Sequence, residues 1–440
     1  MRSIQHFLPV LVICLAFAAC KKPEVADCSG TAGTVAQSSN PEIEALRQSM
    51  LTFRNSLSED LLARGTTCLG TDRALRWHNT PPSITPRDGI TYGDLSDTQL
   101  QNFKNMMQLF LSQPGYQKVD EITTLSEGYL NSIETVVDWG TETYSIDLIG
   151  DPNTSGSWGF QLDGHHCAVN FLVHGDYVSM VPAFLGGEPV VGTFNGTSFD
   201  IFRDERDLAL NLYNGMNQAE IASAVTTGDP NAMVLKPGEG GSEDPYAGNY
   251  DYSQFQNGLR YTDMTSATKA NLIILMYEYV YNLDSTFADT WWNDVFANID
   301  DTWFVWIDEV SAPSTTTQFY YRIYNPYLWV EYSMEPPVGD GLEDWNHVHT
   351  ITRIPNNPST ANGGDYGLFA EMVNRGGPKT LYEHYYSAAH HQGTKMLFDY
   401  QVEMPDAPQD GHSHEHGDHE HGGHSHSQGY GHHHHHGHAG

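Results

Sequence analysis

Residues 157–187 read SWGFQLDGHHCAVNFLVHGDYVSMVPAFLGG, and the reading of this stretch decides the fold. Residues 158–162, 168–173 and 177–184 are rich in β-branched and aromatic side chains with a period near two, which predicts consecutive strands. Gly175-Asp176 is a short polar gap of the kind that closes a hairpin. A double histidine, His165-His166, stands at the turn between the first two strands. Neighbouring side chains of a strand face opposite ways, so one imidazole is expected to serve as a ligand and the other to support it or face a substrate.

Outward from this stretch the period lengthens to that of helices. Upstream, Asn40-Pro41-Glu42 has the cap residue, the first-turn proline and the acid of a helix start, and Ile43, Leu46, Met50, Phe53 and Leu57 follow at one-face spacing. Further helices are predicted from Leu95-Ser96-Asp97 onward, over 119–132, 204–222 and 266–283, with a strand at 143–148. Segment 226–257, rich in Gly, Pro and Asp, predicts a long surface loop. Strands are expected at 302–307, 319–324, 327–333 and 347–353, with Asn325-Pro326 turning a second hairpin. The pattern predicts a single large α+β domain over 42–400, its helices packed on a largely antiparallel sheet of hairpins.

The ends are of different material. Residues 1–19 hold one Arg and an apolar run from 7 to 19, the pattern of a secretory signal. Phe17-Ala18-Ala19-Cys20 resembles a lipobox, which predicts Cys20 as a lipid anchor, residues 20–41 as a flexible tether, and a location on the bacterial cell envelope. Of the other cysteines, Cys14 leaves with the signal and Cys28, Cys68 and Cys167 remain. An odd count without CxxC argues against a disulfide framework and a zinc–thiolate cage, with a Cys28–Cys68 bridge the pairing to weigh and Cys167 expected in the core. With 21 basic against 55 acidic side chains and a net charge of -34, the chain repels nucleic acid and favours cations.

The histidines point to a metal. In WNHVHTITR the strand period puts His347 and His349 on one face, where each can offer an imidazole to the same ion, although H-x-H alone is a weak signal. We expect these two to converge with His165 or His166, and Asp365, His384, Asp163 or Glu331 to complete the site. From residue 401 a polar linker leads to a tail, expected to be disordered, with paired imidazoles at His412, His414, His416, His419, His421, His424 and His426. A plain affinity tag does not explain that interspersed pattern, and a tail that buffers Zn, Ni or Cu does. Neither a G-x-S-x-G elbow, a phosphate-cradling loop nor H-E-x-x-H is present.

The ordered motifs Trp158-Gly159, Gly164-His165-His166, Asn170-Phe171, Pro182-x-Phe184-x-Gly186, Tyr321-Arg322-Ile323, Glu331-Tyr332, His347-x-His349-x-x-x-Arg353, Asp365-Tyr366-Gly367 and His384-Tyr385 resemble the bacterial family known as domain of unknown function 3500. Upstream, Arg76-Trp77, Thr80-Pro81 and Arg87-x-Gly89 extend the resemblance, which covers roughly residues 43–392. Ile354-Pro355 stands where that family usually has Asp-Pro. The resemblance supports the existence of a site and brings no particular reaction. Two functions follow from the residues. One is an envelope lipoprotein that binds a divalent transition metal, Zn or Ni first, and partners an envelope metal transporter. The other is a metal-dependent hydrolase, with His166 and Glu331 as catalytic residues and a metal-bound water as nucleophile.

Overall fold

The computed structural model describes residues 24–28 and 38–355, apart from 69–72, 74–76, 135–138, 154–155, 235–251, 309–311 and 340. Helix α1 (Pro41–Ser56) begins where the sequence marks it. Asn40 Oδ1 accepts the Glu42 N–H at 2.9 Å, Pro41 fills the first turn, and Ile43, Leu46, Met50 and Phe53 are buried. A short α2 (Glu59–Arg64) leads to α3 (Asp97–Phe110), which Ser96 and Gln99 cap reciprocally. The expected helix over 119–132 is three pieces: α4 (Gln113–Glu121), a π-helical turn (Ile122–Ser126) and α5 (Glu127–Ile133). Farther on lie α6 (Arg203–Gly215), α7 (Gln218–Ala224), α8 (Ser266–Val280) and α9 (Ser285–Ala297).

The strands, in chain order, are β1 (Thr66–Thr67), β2 (Ile90–Thr91), β3 (Ser145–Ile149), β4 (Trp158–Gly164), β5 (Cys167–His174), β6 (Tyr177–Ser179) and β7 (Ala183–Gly187). A small separate hairpin of β8 (Val191–Phe194) and β9 (Thr197–Asp200) follows. The remaining strands are β10 (Val225–Thr227), β11 (Leu259–Arg260), β12 (Trp303–Asp308), β13 (Phe319–Asn325), β14 (Leu328–Met334) and β15 (Val348–Arg353). Among the described residues, thirteen of these strands make one sheet, whose main path runs β1-β3-β4-β5-β7-β15-β14-β13-β12-β10. Pairing is antiparallel except β1 with β3 and β10 with β12. The α+β reading holds.

The seam that matters is β7 against β15. It joins two sequence-distant meanders, β3 to β7 and β12 to β15, and sets Gly186 opposite His349. Helices cover one face of the sheet, where Phe103 and Phe110 meet Phe160 edge-on with ring centroids 5.3 Å apart. On the opposite face a second apolar cluster gathers Trp77, Phe184, Met233, Tyr252, Phe255, Trp329 and Ile351. The described ends of the expected loop are largely exposed, with Met233, Tyr252 and Phe255 buried as anchors. Tyr252 packs on Trp329, at 5.2 Å between centroids. Phe and Tyr at the ends of a Gly/Pro-rich segment are what anchor it.

The cysteines correct the sequence reading in one respect. Cys28 and Cys68 form a disulfide across 40 residues, tying the tether to the residue that follows β1. Spacing gave no sign of it because only the fold brings the two together. Cys167 is buried in the main core, as expected, and burial pushes its thiol well up. No helix among the described residues is long and apolar enough to cross a membrane.

Candidate metal centre

His165 and His166 are the two loop residues between β4 and β5, whose last pair is Gly164 with Cys167. The turn is pinned from three sides. The His166 N–H donates to Asn79 O at 3.0 Å, Gly186 N–H donates to His166 O at 2.7 Å, and the Tyr144 hydroxyl donates to His165 O at 2.5 Å. His166 takes φ 60°, the left-handed region that few residues with a side chain enter, and this conformation re-aims its ring. Gly164 is required by the Tyr144 contact, since a Cβ there would stand 2.4 Å from the Tyr144 ring. Gly186 is required beside β15, where a Cβ would meet Val348 O at 2.7 Å and His349 Cδ2 at 3.0 Å.

The two distant pairs converge. His347 Nε2 lies 3.1 Å from His166 Nε2 and 3.0 Å from His349 Nε2. All three rings are buried, and their ligand atoms lie within 4.8 Å of one another. Their protonation follows from what the other nitrogens face. Pro336 O, which only accepts, is 3.0 Å from His347 Nδ1, and Glu335 Oε1 is 3.0 Å from His349 Nδ1. His347 Nδ1 therefore carries its proton, and with the His349 proton likewise on Nδ1, toward the Glu335 carboxylate, both Nε2 atoms are lone pairs facing each other. A proton on His166 Nε2 can satisfy one of these contacts and not both. Burial, reinforced by neighbouring imidazoles, pushes His347 down to about 3 and His166 far down, so neither ring relieves the clash by charging.

A cation at the centre would resolve it. Ligand nitrogens about 2.0–2.1 Å from one ion stand about 3.3–3.4 Å apart in a tetrahedron and about 2.9 Å apart on an octahedral face. The observed separations of 3.0 and 3.1 Å fall between these. Imidazole donors suit zinc, copper, nickel or iron and not magnesium or calcium.

His165 plays a different part. Its Nδ1 is 2.8 Å from Glu127 Oε2, and its ring lies between Trp139, at 4.5 Å, and His166, at 3.6 Å with a 34° tilt. Glu127, His165 and His166 form a second buried group with ligand atoms within 4.8 Å. Lone pairs lie in the ring plane, however, and two rings stacked this closely cannot aim theirs at one ion. The geometry makes His166 the candidate ligand and places His165 behind it, oriented by a carboxylate. The π-helical turn before Glu127 gives it this aim: Ser126 Oγ accepts the Glu188 N–H at 3.1 Å, and α5 starts at the next residue.

Three carboxylates surround the imidazoles, and the sequence reading named none of them. Glu127 also accepts the Gly140 N–H, at 3.1 Å. Glu335 opens the loop EPPVG, whose Pro336 carbonyl orients His347 and whose Val338 and Gly339 N–H groups bind Glu188 Oε1. Glu188 is 1% exposed, its Oε2 has no hydrogen bond and lies 3.8 Å from His347 Nδ1, and burial raises its pKa. An acid and two prolines, Glu335-Pro336-Pro337, at the start of the loop between β14 and H-x-H were the available signal.

Two of the acids proposed from sequence, Glu331 and Asp163, lie elsewhere. Glu331 is fully buried and accepts from Val234 N–H at 2.7 Å, the Tyr320 hydroxyl at 2.9 Å and Trp329 Nε1 at 3.0 Å, which is a structural cage. Asp163 accepts from Arg87 Nε at 2.6 Å and the His78 N–H at 2.9 Å, and so clamps the segment before β2 onto the sheet. Neither belongs to the metal-capable groups among the described residues. Cys20, Asp365, His384 and His412, His414, His416, His419, His421, His424 and His426 lie outside the described residues.

Neither the curated proteins nor the solved structures include a match to this chain. A family model does match, over residues 39–367, a span that holds the whole seam, both histidine pairs and all three carboxylates. The chain belongs to the family described as "Protein of unknown function (DUF3500)".

Proposed function

We propose that this protein is a cell-envelope lipoprotein that binds one divalent transition ion, zinc or nickel first, through His166, His347 and His349. The carrying observation is the Nε2 atoms of His166, His347 and His349 gathered in a buried site, with those of His347 and His349 3.0 Å apart, an arrangement that costs free energy when both Nδ1 atoms hold the protons and no cation lies between. The Cys28–Cys68 disulfide supports a compartment outside the reducing cytoplasm, in keeping with the signal and with Cys20 as anchor. The histidine run from His412 to His426 supports a role in gathering ions for handover to or from an envelope transporter. Elemental analysis after dialysis tests the reading. The chain ended at residue 411 should hold about one ion, and the same chain with His347→Ala and His349→Ala should hold none. Equal contents in the two would refute it.

One observation favours a second reading, a metal-dependent hydrolase. Three imidazoles leave a tetrahedral ion one position for water or substrate, which is the donor pattern of catalytic rather than structural zinc. Zinc-loaded chain with no turnover on ester, amide and phosphoester panels, against a metal-free control, would remove this reading and leave the first intact.

A further inference from the structure

Glu188 differs from the other two carboxylates of the centre. Both Glu127 oxygens are hydrogen-bonded, and Glu335, whose Oε1 lies 3.0 Å from His349 Nδ1 without a hydrogen bond, is the more exposed side chain, at 16% against 1% for Glu188. Glu188 Oε1 accepts two backbone N–H groups, at 2.6 Å from Gly339 and closer from Val338, so the side chain is fixed in place. Its Oε2 is buried with no hydrogen bond, 3.8 Å from His347 Nδ1, and His165 and His349 are close enough to act on it electrostatically. Among the described residues no Lys or Arg pairs with it. A charge fixed in this way, and not directed into a hydrogen bond with a ligand, acts on the centre through space.

We propose that Glu188 makes the three-histidine centre selective for doubly charged ions over singly charged soft ions such as Cu(I). The inference rests on the metal reading above. Imidazole alone discriminates poorly, because it binds Cu(I), Cu(II), Ni(II) and Zn(II). The attraction between a fixed carboxylate and an ion is proportional to the ion's charge, so it is twice as large for Zn(II) as for Cu(I) at the same position. In affinity, the factor gained by Zn(II) is the square of that gained by Cu(I).

The test uses the full chain, with the His347→Ala, His349→Ala double variant as background so that ions held by the tail cancel. Zn(II) and Cu(I) affinities are measured by competition with chromophoric chelators, the latter without oxygen and with ascorbate. Glu188→Gln can keep an oxygen on the two N–H groups while losing the charge. It should weaken Zn(II) by about 10–100-fold, the range for groups behind metal ligands, and Cu(I) by only the square root of that factor. Glu188→Asp, which keeps the charge, should hold the ratio of the two affinities within about threefold of the parent. Equal losses for the two ions, or a Gln variant that leaves Zn(II) unchanged, would overturn the inference while leaving the metal reading standing. So would an Asp variant that loses the ratio as Gln does. A parent chain that binds no more Zn(II) than the background would overturn both.

Discussion

If the buried triad holds an ion only when folded, metal must raise the unfolding temperature, and removing the middle imidazole must abolish that rise. His347 is the middle one, within 3.0 and 3.1 Å of the other two Nε2 atoms, so His347→Ala leaves no pair in contact at those distances. An ion at a free concentration a thousandfold above its dissociation constant stabilises the native state by about 4 kcal/mol. An unfolding entropy of about 2.1 cal/mol/K per residue over roughly 320 folded residues gives about 0.7 kcal/mol/K. The expected rise is therefore about 6 °C, read by differential scanning calorimetry with Zn(II) against a chelator. Ions bound by a histidine run alike in folded and unfolded chains give no shift, so the measurement isolates the folded site. In the His347→Ala variant the rise should fall below about 1 °C. A variant that keeps the full rise, or a parent insensitive to Zn(II), Ni(II) and Cu(II), would refute the argument.

Three further outcomes follow from particular contacts. Gly186→Ala puts a Cβ 2.7 Å from Val348 O and 3.0 Å from His349 Cδ2, so β7 and β15 must part; a loss of about 1–3 kcal/mol in urea denaturation is expected, with weaker metal binding. Reduction of Cys28–Cys68, which closes 40 residues of chain, should cost about 2–4 kcal/mol in the same assay, and a Cys28→Ser variant should no longer respond to reductant. His174, whose Nδ1 lies 2.7 Å from Ser157 Oγ, is pushed by burial down to about 4. A depressed histidine stays neutral in the folded state while the unfolded chain takes up a proton. Its stability contribution is thus full above about pH 6.5 and is lost as pH falls through about 4, worth about 1–3 kcal/mol in all. His174→Gln should flatten the stability profile in that window, and an unchanged slope would count against the assignment.

What the sequence could and could not reveal divides by the range of the interaction. His165-His166 at a hairpin turn and His347-x-His349 at a strand start were legible because a turn and a period of two are local properties. Which of the neighbouring histidines is the ligand was not, because φ 60° at His166 is imposed by Asn79 O and Gly186 N–H, contacts that come from other parts of the chain. The carboxylates were misassigned for the same reason. Glu331 sits near the H-x-H in sequence order and pairs from β14 with Ile351 of β15, yet its oxygens are held by Val234, Tyr320 and Trp329. Glu127, Glu188 and Glu335 come from three separate segments and meet only because β7 and β15 pair across the seam. The seam explains why Gly186 is needed at all. A side chain there would push away the one strand that carries His349, and with it the only described route by which the two halves of the sheet share a centre. The register of β7 against β15 thus carries both the fold and the site, and a change that slips it by one residue should lose the metal before it loses the sheet.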